Sequence, residues 1–347
     1  MDMVPVSAGH SRTDALTDMI ALARAADVAG YEHFWLAEHH GSTTYLSSAT
    51  IVLMGQVLAA TERLGVASGG IMLPNHAPLV VAEQIGTLAT LYPGRVELGL
   101  GRAPGTDRLT AAALRRGASD PGHFAEEILE ILTYLGDEPV PERLPGSLLL
   151  GTSSAPDAAA QMPGLDAPRV RAIPGEGTHP TVWVLGSSVN GARVAGRLGL
   201  PFAVASHFAP SQAEAAMTTY RSVLADAPQP VRPRVAAAVN VVLAPTCQEA
   251  QRLFTTAMTA AARVVGGRPG PLDPPTPDLE AWRALVPGRE RAVESSMALS
   301  FVGAPQEVVP RLRALVRRWD LDELLVVTTV HDPLLRRRSY ELLATAW

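Results

Sequence analysis

The chain predicts one α/β domain across residues 1–347, a (β/α)8 or TIM barrel with insertions at about 136–180 and 265–300. Three observations carry this. Strand and helix signals alternate along almost the whole chain, the pattern of βαβ units and a parallel sheet. Counting Met3-Val4 as the first, eight strands each lead into a helix, the arithmetic of the barrel. A chain of 347 residues with 47% hydrophobic content can bury a core of that size, and no linker divides it.

In order, Ser11 to Gly30 is helical: Leu16, Met19, Ile20 and Ala23 keep the helical period, and Ser11 with Asp14 can form a capping box. A buried strand, His33–Ala37, runs into Glu38-His39-His40. Helix Ser48–Arg63 leads to strand Leu64–Ser68, which ends in Gly69-Gly70. Helix Leu79–Tyr92 stops at Pro93-Gly94. In the next strand Val96, Leu98 and Leu100 alternate against Glu97 and Gly99, and the strand ends at Gly101-Arg102. Helix Pro121–Leu135 follows. The stretch from about Gly136 to Pro180 lacks a period, which suits a lid over a site. Strand Thr181–Leu185 leads through Ser187-Ser188 to helix Asn190–Leu198, and strand Phe202–Ala205 through Ser206-His207 to helix Ser211–Leu224. Then come strand Arg234–Leu243, helix Gln248–Val264, a Pro-rich loop (Gly266–Pro277) and a helical stretch around Leu279–Leu299. Helix Pro305–Trp319, strand Glu323–Val330 and helix Pro333–Ala346 complete the chain. The first strand is short, as if a few residues were missing before Met1.

A net charge of −5 and a pI near 6.0 argue against a nucleic-acid partner. No apolar run reaches membrane-spanning length, and the start of the chain is not a signal peptide. A single Cys247 excludes internal disulfides and fits a cytoplasmic protein. Lysine is absent, which rules out Schiff-base chemistry on a lysine. The apolar helix pair Ile51–Met54 and Leu79–Val81 suits either a homodimer face or ordinary packing on the barrel.

Barrel chemistry gathers where strands end. Arg102 stands there before a Pro-Gly turn, and its guanidinium fork matches phosphate oxygens, although an exposed arginine capping a tight turn fits the same residues. Ser187, Ser188 and Gly191 lie where a strand becomes a helix, whose free N–H groups favour an anion. The glycines of this region are not a dinucleotide fingerprint, because no helix opens directly on them. Adjacent His39 and His40 point opposite ways on an extended chain, so no metal site is expected. No Gly-x-Ser-x-Gly elbow supports a serine hydrolase.

Taken together, Ala37-Glu38-His39-His40, the run Ser68–Pro78, the run Pro93–Gly105, and Leu185–Gly191 with Gly199-Leu-Pro201 resemble the bacterial luciferase-like, flavin-dependent monooxygenases. The resemblance covers nearly the whole chain and implies a luciferase-like barrel binding reduced FMN at its strand ends. It makes Arg102 the phosphate arginine, with Ser188 and Gly191 as further phosphate contacts. It places a non-proline cis peptide at Gly69-Gly70 beside the flavin ring, with Glu38, Ser68, Gly101 and Ser187 also around the cofactor. His39 matches the histidine treated as catalytic base, and His40 its neighbour. Gly101 and Ser187 stand where the luciferase α subunit has a cysteine and a glutamate, so light emission is not carried over.

The reading that follows is an FMN-dependent monooxygenase. It takes reduced FMN from a separate flavin reductase and uses O2 to oxygenate a small organic substrate. Hydride transfer with deazaflavin F420 is the near alternative. A non-catalytic flavin-binding barrel is the distant one, and retention of Glu38, His39, His40 and Arg102 together argues against it.

Overall fold

The computed structural model describes residues 1–103, 105–114, 121–137, 170–226 and 232–347. The central part of the expected lid, 138–169, lies outside them. In chain order the elements begin with α1 (Arg12–Ala29), β1 (His33–Leu36), α2 (Thr50–Ala60), β2 (Gly65–Ser68) and β3 (Ile71–Met72). They continue with α3 (Pro78–Leu91), β4 (Val96–Gly101), α4 (Arg108–Leu114), α5 (Phe124–Leu135), β5 (Thr181–Gly186) and α6 (Val189–Leu198). Next are β6 (Phe202–Val204), α7 (Ala213–Ala225), β7 (Val235–Leu243), α8 (Cys247–Val265) and α9 (Glu290–Ser296). Last come β8 (Ser300–Gly303), α10 (Pro305–Trp319), β9 (Glu323–Val327) and α11 (Pro333–Ala346).

Every strand pairing is parallel, in the order β1-β2-β4-β5-β6-β7, and β9 pairs with the first half of β7. Short β3 and β8 extend the sheet beside the ends of β4 and β7. The expected first strand, Met3-Val4, is not a strand; Met1-Asp2 fills that place instead. The Asp2 N–H donates to the Trp35 carbonyl at 2.7 Å, and the Met1 amine donates to the Val326 carbonyl at 2.8 Å, which ties β1 to β9 and closes the barrel.

Local chemistry explains most boundaries. Ser11 and Asp14 form the reciprocal capping box of α1, and Gly30 ends it in the left-handed conformation. Several elements depart from expectation. Leu279–Leu299 is not one helix: a 3-10 turn at Ala281–Leu285 precedes α9, with Gly288 at positive φ between them. Strands β3 and β8 and helix α4 are additional elements.

The strands alternate between two cores. Phe34, Leu36, Val66, Leu98, Val184, Phe202 and Val239 face the helices. Trp35, Ala67, Trp183, Ala203, Ala236, Ala238 and Leu325 pack together inside the barrel. The two indole rings meet edge to face at 5.5 Å. Beneath them His33 lies between Glu97 (3.7 Å) and Glu323 (3.4 Å), and Trp183 donates its indole N–H to Glu97 at 2.8 Å. These side chains fill the floor of the lumen. Of the apolar pair on α2 and α3, Met54 and Val81 are buried, whereas Val52 and Val80 stay exposed.

Candidate functional site

The residues expected at the strand ends do converge on the mouth. Parallel register sets Gly101 opposite Leu185, so Arg102 emerges beside Gly186 and Ser187-Ser188. Arg102 is exposed and, among the described residues, has no hydrogen-bond or ion-pair partner. Ser188 is the N-cap of α6, yet its side chain makes no capping bond. Gly191 lies in the first turn of that helix, where a Cβ would stand 3.5 Å from the Gly186 Cα. An unpaired guanidinium, an uncommitted hydroxyl and a helix N-terminus form one anion-accepting corner.

The β2 end is built by close backbone approach. Ser68 is buried; its hydroxyl donates to the Gly99 carbonyl and accepts from the Gly99 N–H, both at 2.8 Å. The Gly69–Gly70 peptide is cis. A Cβ on Gly70 would come within 2.8 Å of the Gly99 carbonyl oxygen, and one on Gly101 within 2.9 Å of the Met72 sulfur. Only glycine fits these positions without displacing neighbours.

Glu38, His39 and His40 leave β1 with different partners. The Glu38 carboxylate is buried, with His40 Nε2 at 2.8 Å, His76 Nε2 at 2.9 Å and the Met72 N–H at 3.3 Å. Burial works to raise its pKa, but hydrogen bonds and charge from His76, then from His40, outweigh it and hold Glu38 below the usual glutamate value. One nitrogen or oxygen from each of Glu38, His40 and His76 lies within 4.8 Å of the others, and both histidines are at hydrogen-bonding distance from the carboxylate. Glu38 thus orients two histidines. Its oxygens are turned to these partners.

His39 points the other way. Its ring stacks obliquely on Tyr45 at 5.1 Å, its backbone N–H donates to the Ser47 carbonyl, and its buried Nδ1 has no partner. Burial lowers its pKa, so the imidazole is neutral near pH 7. A neutral imidazole with uncommitted nitrogens can accept or deliver one proton. His76 belongs to the run Ser68–Pro78 and is itself a candidate strand-end histidine. Its place in the Glu38 cluster comes from the 3-10 turn Leu73–Asn75, which no local pattern announces.

An anion-accepting corner, a glycine-built wall and a histidine pair thus share the carboxyl-terminal mouth of a parallel barrel. The chain belongs to the luciferase-like monooxygenase family, which it matches over residues 3–322. A luciferase-like monooxygenase of Escherichia coli is 38% identical over 343 residues, covering 99% of this chain and 94% of the relative. The N-acetyl-S-alkylcysteine monooxygenase of Bacillus subtilis is 28% identical over 346 residues, with 100% and 96% covered. The solved apo-MsnO8 structure superposes with a TM-score of 0.80 at 34% identity, over 99% of this chain and 96% of that one. Two more distant structures share the fold. The oxygenating constituent of 3,6-diketocamphane monooxygenase, in complex with FMN, has a TM-score of 0.69 at 18% identity, with 98% and 94% covered. An F420-dependent secondary alcohol dehydrogenase has a TM-score of 0.65 at 15% identity, with 96% and 94% covered. Among the described residues no helix is long and apolar enough to cross a membrane.

Proposed function

We propose that the protein is a monooxygenase that binds reduced FMN at the barrel mouth and, with O2, oxygenates a small organic molecule. The observation that carries this is the corner of Arg102, Ser188 and the α6 N-terminus, three uncommitted groups set side by side by the β4–β5 register. They fit a terminal phosphate in charge and in donor number. Gly69, Gly70, Gly101 and Ser187 would face the flavin ring, where the backbone is bare.

Reduced FMN supplies the two electrons with which O2 gives one atom to substrate and one to water. The chain's own part is to bind and shield. Arg102 holds the phosphate, the Trp35–Trp183 floor keeps water out from below, and His39 moves a proton at its ring nitrogen. His40, held by Glu38, fixes the loop that carries His39. Apart from the Arg102 turn, the chain has no glycine-rich strand-to-helix turn suited to a nicotinamide dinucleotide, so a separate reductase supplies the reduced flavin. Exposed Val52 and Val80 support a homodimer through α2 and α3.

Deazaflavin F420 also carries a phosphate, so the test compares the two. The pure chain is titrated anaerobically with reduced FMN and with reduced F420, then exposed to air with candidate substrates. Tighter binding of reduced FMN and an oxygenated product support the proposal. Hydride transfer from F420 without oxygen incorporation would replace it.

A further inference from the structure

The strand slots of the closed barrel run Met1-Asp2, β1, β2, β4, β5, β6, β7, β9. β1 and β6 are four places apart in a ring of eight, so the loops leaving them face each other across the mouth. The first carries His39; the second carries Ser206-His207. His207 is buried in the turn that leaves β6, close enough to His39 to be acted on by its charge. We propose that His207 is a second polar anchor of the substrate chamber, opposite His39, and that this chamber selects an uncharged molecule bearing one hydrogen-bonding group.

His207 is 7% exposed, and its Nδ1 is buried without a partner. Its place is fixed from both sides. The Asn240 side chain donates to the His207 carbonyl at 2.6 Å, Ser206 donates to the Ala238 carbonyl at 2.7 Å, and Phe208 packs edge-on against the ring. Such anchoring of a buried but unpaired imidazole is unusual, because buried polar groups normally find partners. It is not isolated: His39 Nδ1 and Trp35 Nε1 are also buried and unpaired.

Burial pushes the His207 pKa down to about 3, and the N-terminal amine and His39 add to that. Both mouth histidines are therefore neutral, each offering one donor and one acceptor. Among the described residues the groups that could balance an ion there are spent: burial lowers the Met1 amine to about 5, which leaves it neutral at pH 7, Glu38 is committed to His40 and His76, and Arg102 stands at the anion corner. A charged group entering between the histidines would lose its hydration without compensation, whereas a neutral hydroxyl would gain a bond. Calling this occupant the substrate rests on the function proposed above; the anchor itself does not.

The test uses benzyl alcohol, benzoate and benzylammonium as matched neutral, anionic and cationic probes on the full chain, with and without FMN. Affinity is read from the fluorescence of the lumen tryptophans. Contact is read from ring 15N signals of histidine-labelled protein, with the His207 signal identified by its loss in His207→Gln. Benzyl alcohol is expected to shift the His207 signal and to bind at least about tenfold tighter than either ion, the scale of one hydrogen bond. His207→Phe should weaken it about tenfold and His207→Gln much less. If His207→Phe does not fold, the wild-type shift and the order of the probes decide. No binding of benzyl alcohol, an unmoved His207 signal, or equal affinity for an ion would overturn the proposal. Failure of FMN to bind while this preference persists would remove the proposed function and leave the anchor standing.

Discussion

Glu38 and His76, 38 residues apart, meet with the histidine Nε2 2.9 Å from the carboxylate Oε1, and His40 reaches the same oxygen from the other side. One buried carboxylate thereby ties the loop after β1 to the loop after β3. The pairing lowers the Glu38 pKa from its ordinary 4.5, so its stabilisation is present above the unfolded value and is lost as pH falls through the folded one. Glu38→Gln should cost roughly 1–3 kcal/mol at pH 7. It should also flatten the loss of stability below about pH 4.5. Denaturant unfolding at pH 7 and at pH 3.5 checks both; an unchanged pH slope would contradict the pairing.

His33 gives the opposite sign at the floor of the barrel. Burial would lower its pKa, but the hydrogen bond to Glu323, with the charges of Glu97 and Glu323, raises it above 6.5. Its contribution is complete below that value and disappears as pH rises through the folded pKa. His33→Gln should therefore lower the melting temperature by a few degrees at pH 6, about 1 kcal/mol, and hardly at all at pH 9. An equal drop at both would mean that the imidazole only fills space.

His39 is assigned proton transfer, and the unpaired nitrogen and neutral ring motivate it. His39→Ala should keep FMN affinity within a few-fold while lowering product per reduced flavin by about 10²–10⁴. Single-turnover oxidation of bound reduced flavin with product analysis measures this. A full product yield would remove His39 from the mechanism.

The βα rhythm made the barrel legible, because strands buried on both faces and amphipathic helices leave different periods. Capping chemistry placed α1, and strand ends pointed to His39, Arg102 and Ser188. What stayed hidden depends on contacts between distant segments. β8 is four residues long and pairs only with the far half of β7, and β3 has two residues beside β4. The turn that delivers His76 to Glu38 is set by tertiary packing. The opposition of His39 and His207 is a property of the closed ring, and Met1-Asp2 completes that ring through backbone bonds without strand pattern.

The central claim is that the β4–β5 corner grips the phosphate of FMN. Its most direct test is the affinity of wild type and Arg102→Ala for FMN and for riboflavin, which lacks the phosphate. A charged hydrogen bond is worth roughly 1.5–3 kcal/mol, so the substitution should weaken FMN about ten- to a hundredfold and leave riboflavin unchanged. An equal loss for both ligands, or no loss for FMN, would contradict the account.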